Sequence, residues 1–509
     1  MGAFYLTTAI DYSNGEPHLG HTVEKVGADV IARYHRSIGD DVHFVIGMDE
    51  HGQKVAQAAE KAGVSPQTWV DAIAKSFVDV WAALAISNDD FIRTTEARHE
   101  AGVGALMERI RASDDFYSAT YEGYYCAGCE AFKKEDELAG GQCPLHPSRS
   151  IEWMEEENWF FRLSKYRDVL LSHVTSHPEF VRPASRRNEI VKLLEGGLDD
   201  ISASRSRISW GVDFPGVDGH SVYVWFDALP NYITAVGFPG GSDFGRWWPA
   251  DLHIIGKDIT RFHCVIWPAM LLSAGLELPR TVWAHGFINF SGGKLSKSSG
   301  KTLEIPRLVD RHGPDALRYF LLREIPWDGD RGFGSSDDFL AQFDRRYTAD
   351  LANDLGNLLN RVVAMVAKYR EGKVPPPAES GSDFSAQVRD TLALYRTAMD
   401  DLRLHQGVAA ALDLVRAANA FIDVTRPWSL AKVEGDGGGR EALDAVLGDL
   451  VHALAAVASM LAPFMPRKAD EIWVAVGGEG EAPGLVDLEA RVAGLSRVVA
   501  GPVLFPRTE

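Results

Sequence analysis

Cysteine is scarce in this chain, with 4 in 509 residues. That excludes a disulfide framework for a chain this long. Three of the four fall in one short segment, which points to metal in a reducing compartment. Long apolar runs are missing too: no stretch approaches the roughly 20 residues of a transmembrane helix. The N-terminus lacks the basic and apolar regions of a signal peptide. The expectation is a cytoplasmic protein with no membrane partner. Positive charge is in deficit, 52 Lys and Arg against 71 Asp and Glu, for a net charge of −19. This argues against a protein that coats nucleic acid without selectivity. A local basic face is still allowed, with Arg345, Arg346, Arg361, Lys368 and Arg370 as candidates. No internal repeat has a fixed period. What the chain does have is apolar material, 46% of its residues, ample for the two to four domains expected at about 100–200 residues each.

Residues 4–10 read as a short buried parallel strand ended by the turn signal Asn14-Gly15. Pro17 suits the first turn of a helix, and helical spacing runs from Leu19 to about Ser37. Residues 42–47 read as a second strand, so strand, helix and strand open a right-handed βαβ unit. Helical pattern continues over 53–62 and 66–84. Residues 116–150 are rich in Tyr, Cys, Gly and charge with little periodicity, and read as a loop-dominated insertion. Apolar segments at 222–228 and 252–255, a helical stretch at 261–274 and a further segment at 281–290 read as the second half of the sheet. After Pro326 the strand signals stop, and four helical stretches follow, at about 335–370, 383–402, 405–425 and 440–462. The expected fold class is α/β. A Rossmann-type parallel sheet (1–115 and 222–291) is split by an inserted domain (116–221). A loop and connecting helical segment (292–350) and an α-helical bundle (351–509) follow.

Two basic clusters carry the chemistry. His18-Leu19-Gly20-His21 stands at a strand-to-helix switch, where unsatisfied N–H groups and the helix dipole favour an anion. The two imidazoles share a first turn, and Gly20 lets a ligand approach the backbone. Lys294-Leu295-Ser296-Lys297-Ser298 sits among glycines and serines, so its lysines act as mobile point charges on phosphate. Taken singly, the first is equally a pair of capping histidines and the second a solvated loop. The insertion holds Cys126, Cys129, Cys143 and His146 as C-x2-C-x13-C-x2-H. That is the donor set and spacing of a closed, structural, tetrahedral Zn²⁺ site. The fourth cysteine, Cys264, reads as a small core residue.

The two motifs, in this order across a split sheet, resemble the signatures of class I aminoacyl-tRNA synthetases. Further blocks resemble the methionyl-tRNA synthetases over almost the whole chain: residues 7–15, 47–52, 222–229 and 255–263. The resemblance implies ATP with Mg²⁺, L-methionine, and initiator and elongator tRNA(Met) as ligands. It gives His18, Gly20, His21, Lys294 and Lys297 to ATP and catalysis. It gives Asp49 and the backbone at Ile10, beside Ala9, to the substrate amine, and Tyr232 with the Ile10 backbone to the sulfur. Tyr12, Trp225, Ala228, Leu229, Phe262, His263 and Trp267 shape the pocket, and Arg205 and Asp258 support it. A thioether packs well on aromatic rings, which agrees with such a wall; plain core packing is the other reading of Trp225, Phe262 and Trp267. In the bundle, Asn357, Arg361 and Trp428 match the family's anticodon-reading residues. They also supply the edge hydrogen bonds and stacking plane that unpaired bases need. Family members commonly carry zinc in the insertion. Two positions depart from the common pattern: Leu295 in place of Met, a volume-conserving swap, and Pro230 within the aromatic block. A monomer is expected. The alternatives are a sibling synthetase for Val, Ile, Leu or Cys, against which the insertion is short, and a non-charging paralogue that binds methionine, a nucleotide or RNA.

Overall fold

The structure, a computed structural model, describes residues 2–126, 131–133, 135–144, 150–206, 210–290, 303–376, 382–433 and 439–507. Lys294, Lys297, Cys129 and His146 lie outside the described residues. Six parallel strands form the central sheet: β1 (Ala3–Thr8), β2 (Asp41–Asp49), β3 (Asp90–Arg93), β4 (Val181–Arg182), β5 (Leu252–Gly256) and β6 (Thr281–His285). Their order is β3-β2-β1-β5-β6-β4. Asp11 and Tyr12 prolong the line of β1 by pairing with Met48 and Asp49 at the end of β2.

The inner positions of the strands are mostly apolar because both faces are covered. Side chains alternate between two cores. Leu6, Phe44, Ile46, Ile254 and Trp283 join the core on the side of helix Leu19–Ser37 and the C-terminal helices. Tyr5, Val45, Ile255, Val282 and Ala284 join the core on the other side, with helices Ala97–Ala112 and Trp267–Ser273. The strand order reverses between β1 and β5, which places a ligand crevice at their carboxyl ends.

The first helix spans Leu19–Ser37, where its spacing puts it, but Pro17 precedes the N-cap His18 instead of sitting in the first turn. Residues 116–150 are less loop-dominated than expected. Phe116–Cys126 and Ile151–Phe161 are 11-residue antiparallel strands of a four-stranded sheet completed by Ala131–Lys133 and Ile201–Ser202. Aromatic and β-branched residues favour this pairing, but the partners lie about 30 residues apart, beyond any local pattern. Val181–Arg182, within the stretch read as insertion, forms the edge of the parallel sheet against Val282 and Trp283. Residues 222–228 are not a strand of that sheet. Ser221–Val222 pairs with Ser204–Arg205, and Val224–Ala228 is helical, as a short apolar run permits. One strand also follows Pro326: Arg331–Phe333, parallel to Ile288–Phe290.

The C-terminal third is a bundle of Ser336–Arg346, Asn357–Arg370, Asp383–Asp400, Leu404–Thr425, Gly439–Leu461 and Pro466–Ala475. A π-helical segment, Tyr347–Gly356, joins the first two. Contrary to the expectation of no such run, Gly439–Leu461 is long and apolar enough to span a membrane; 83% of its apolar window is buried inside the protein, where it forms the bundle core. Arg318, 0% exposed on helix Pro314–Glu324, joins the units. It donates to Asp29 Oδ2 at 2.6 Å on the first helix, to Leu84 O at 3.1 Å, and to Pro463 O and Phe464 O at 2.7 and 2.9 Å beside the bundle.

Candidate active site

At the carboxyl end of β1, His18 is the N-cap of the first helix. Its Nδ1 accepts the N–H groups of Gly20 (3.2 Å) and His21 (3.4 Å), and its own N–H donates to His21 Nδ1 (3.3 Å). Both imidazoles therefore take the part that Ser and Glu play in an ordinary capping box. Because each Nδ1 accepts, a neutral ring carries its proton on Nε2. The rings stack at 3.7 Å with a 14° interplanar angle. Burial and the neighbouring His18 hold His21 well below the usual histidine range. A Cβ on Gly20 would stand 3.0 Å from His18 Cε1, so the ring would have to shift by a few tenths of an ångström to admit a side chain. The helix N-terminus is capped by its own two imidazoles.

The aromatic pocket adjoins it. Trp225 and Phe262 stack face to face at 3.6 Å, and the Trp267 ring lies 6.0 Å from both Tyr232 and Trp248. Ala228, Leu229, Tyr232, His263 and Trp267 are buried, whereas Ala9, Ile10, Tyr12, Asp49, Trp225 and Phe262 are partly open. His263 Nδ1 faces the carbonyl of Ile259 at 3.1 Å, and its Nε2 lies 2.7 Å from Tyr232 Oη. Burial lowers this imidazole to about 4, so it is neutral. Its single proton sits on Nδ1, and the Tyr232 hydroxyl donates to Nε2. The hydroxyl proton is thus committed to His263. Asp258 is exposed after β5. Arg205 is buried beside Tyr223, its guanidinium 4.2 Å over the ring, and donates to Ser202 Oγ and Ser204 O.

Two buried networks were missed from sequence. In one, Lys25 bridges Ala9 O, Asp11 and Glu24, and Glu24 meets His285. The only signal was an acid–base pair inside an otherwise apolar helix face. In the other, Asp227 accepts from His51 Nδ1 at 2.7 Å and His99 Nε2 at 3.1 Å. His99 Nδ1 lies 3.0 Å from Thr234 Oγ1. Burial alone would raise Asp227, but the two imidazoles more than offset it and hold the carboxyl at about 2. Trp210 Nε1 donates to Glu50 O at 2.7 Å and Trp210 O accepts from Gly52 N at 3.0 Å. The 49–52 loop is thereby tied to both the insertion and the aromatic block.

In the bundle, Asn353, Asp354, Asn357, Asn360, Arg361, Arg416 and Asn419 line an open cleft of about 450 Å³. Arg361 donates to Asp423 Oδ1 at 2.7 Å and Asn419 Oδ1 at 3.3 Å. Trp428, 40% exposed, follows just after the helix that carries Asn419 and Asp423. In the insertion, Cys126 closes its strand and Cys143 follows the Ala139–Gln142 bridge; both are fully buried. Among the described residues no cluster of three or more His, Cys, Asp or Glu could hold a metal.

The family model described as tRNA synthetases class I (M) matches residues 4–152 and 147–363. A curated methionine–tRNA ligase of Thermotoga maritima is 43% identical over 99% of this chain and 80% of its own length. One of Streptomyces coelicolor is 40% identical over 100% of this chain and 97% of its own. The Mycobacterium tuberculosis methionyl-tRNA synthetase in complex with methionyl-adenylate superposes with a TM-score of 0.94 at 39% identity, covering 100% of both chains. The free form of that enzyme gives 0.87 at 36% identity, covering 100% of this chain and 99% of its own.

Asp227 gives a pH-dependent test. Its folded value lies below the unfolded value of about 3.9, so the stability it adds is full above about pH 4 and disappears as pH falls from there to about 2. Urea unfolding at pH 7 should find Asp227→Asn less stable by roughly 3 kcal/mol, the cost of unpairing a buried charge. The gap between variant and wild type should close on acidification below pH 4.

Proposed function

The chain belongs to the methionyl branch of the class I tRNA synthetases, and from this premise we propose that it is a ligase that joins methionine to tRNA(Met) at the expense of ATP. A methionine carboxylate oxygen attacks the α-phosphorus of ATP. The bond to the β-phosphate breaks, and methionyl-adenylate and pyrophosphate form. A 3′-terminal ribose hydroxyl of tRNA then attacks the acyl carbon and AMP departs. The observation that carries this reading is the paired-imidazole helix N-terminus after β1, on the same parallel sheet as the stacked Trp225–Phe262 rings around β5.

The residue roles belong to the same proposal. The Nε2–H groups of His18 and His21 stabilise charge on the transferring phosphate, with Gly20 admitting it to the backbone. Such donors act by preorganised electrostatics. Lys294 and Lys297 hold the β/γ end, and Mg²⁺ enters with ATP. Asp49 and the Ile10 backbone, next to Ala9, receive the ammonium. Trp225, Phe262 and Trp267 receive the thioether, with Tyr12, Ala228, Leu229, Tyr232 and His263 closing the pocket. Arg205 and Asp258 support its rim. Asn357, Arg361 and Trp428 read unpaired anticodon bases; the open, Asn- and Arg-lined cleft supports this. Cys126, Cys129, Cys143 and His146 hold one structural Zn²⁺. Two buried thiols are a donor pair suited to that ion. Cytoplasmic placement belongs to the same proposal, on the low cysteine content of the sequence, 4 in 509 residues.

Amino-acid-dependent ATP–pyrophosphate exchange with all twenty amino acids tests the activity: exchange with methionine alone is expected, and exchange with another amino acid or with none overturns it. Elemental analysis of protein purified without chelator should return one zinc per chain. Trp428→Ala should leave exchange intact while kcat/KM for tRNA falls about ten- to hundred-fold, since a stacked base is worth roughly 1–3 kcal/mol. Unchanged charging would remove Trp428 from the RNA site.

A further inference from the structure

We infer that Lys25 is a positioning residue for methionine: its ammonium clamps the turn that follows β1 on both sides of Ile10 and ties it, through Glu24, to the end of β6. The inference rests on the methionine reading of that turn.

Lys25 lies on the first helix and its side chain is 0% exposed. A lysine that deep has to find acceptors for three N–H groups. It finds three: Ala9 O at 2.9 Å, Asp11 Oδ1 at 3.0 Å and Glu24 Oε1 at 2.7 Å. Ala9 and Asp11 flank Ile10, so one cation fixes the residues on either side of the backbone assigned to the substrate amine. Two other bonds pin the same turn: Ala9 N–H donates to Ile254 O at 2.9 Å, and Ser13 N–H donates to Asp49 O at 2.9 Å. The turn therefore touches β5 and the end of β2 directly but reaches the helix through Lys25. Glu24 continues the chain. Its Oε2 meets His285 Nε2 at 3.1 Å, and His285 Nδ1 lies 2.8 Å from Gly286 O.

The charges explain why the clamp holds. Two buried carboxylates share one ammonium. Burial opposes Glu24 ionisation, but Lys25 and His285 more than offset it and bring the carboxyl to about 2. Asp11 is left with the weaker share. Burial and the Glu24 charge raise it to about 7 against the pull of Lys25. Removal of Lys25 alone would leave these carboxylates facing each other without a cation. Stability and positioning therefore need separate variants.

The experiment measures methionine-dependent ATP–pyrophosphate exchange and the thermal midpoint for the wild type, Lys25→Met and the double variant Asp11→Asn/Lys25→Met. The double variant removes the clamp and its facing charge together, leaving Glu24 with His285. Lys25→Met should raise the KM for methionine by about tenfold or more while the KM for ATP and kcat move by less than about threefold. The double variant should regain thermal stability and keep the raised KM for methionine. A merely structural lysine predicts the opposite, recovery of both together. The inference fails if the double variant binds methionine like the wild type, or if the constants for methionine and ATP rise in parallel. Should Lys25→Met not fold, the double variant alone decides by the same criterion. Wild-type protein with no methionine-dependent exchange would overturn the underlying function, and the clamp's role with it.

Discussion

Strands β1 and β5 are hydrogen-bonded neighbours, yet the chain leaves them for opposite faces of the sheet. After β1 it crosses to the side of helix Leu19–Ser37; after β5 it enters the helices at 262–273 on the other side. The two exits diverge at the carboxyl ends of neighbouring strands, which opens a gap between them. The rest of the site is arranged around that gap. The helix that follows β1 turns its N-terminus toward the gap, and the aromatic wall rises from the segment that follows β5. Asp49 arrives from the end of β2, the next strand along. A crevice made by topology does not depend on any single side chain, so the chemistry lining it is free to be specific.

A second constraint fixes how the remaining parts stand on this sheet. Arg318 is buried where the first helix, residue 84 and the 463–464 turn converge, and its bonds are to one carboxylate and three carbonyls. The carbonyls are obligatory acceptors that have to be satisfied once buried. A guanidinium meets several of them in one plane, which a lysine could not do. Arg33 reinforces the joint by bonding Asp29 and Ala85 O. The bundle is therefore held to the catalytic sheet through the same helix that presents His18 and His21.

How much of this was legible from sequence depended on range. The paired histidines and the helix after them were legible because capping chemistry and 3.6-residue periodicity are local. Helix bounds in the bundle were legible for the same reason. The 116–161 hairpin was not, since its evidence is a partner strand about 30 residues away. Val181–Arg182 was invisible because two residues carry no pattern, although they complete the sheet. Lys25, Arg318 and Asp227 were missed for a different reason. Hydropathy reading assigns charged residues to the surface, and only tertiary structure reveals that a charge has been buried with its partners. The bond between the Tyr232 hydroxyl and His263, 31 residues on, was hidden for the same reason.

The acidic balance of the chain bears on how it meets two polyanions. A net charge of −19 cannot supply a general attraction for ATP or RNA, so binding has to come from local, oriented donors. The head of the first helix accords with that rule: an imidazole pair stacks there, and burial with the neighbouring His18 holds His21 well below the usual histidine range, so that it is neutral. The bundle cleft follows it in another way. Arg361 is held by Asp423 and Asn419, and Arg416 by Asp413 at 2.6 Å with Asp350 and Asp354 farther off. Guanidinium groups already paired with carboxylates attract phosphate weakly but present fixed edges for hydrogen bonding. Such a surface gives up general attraction for polyanions in favour of oriented hydrogen-bonding edges.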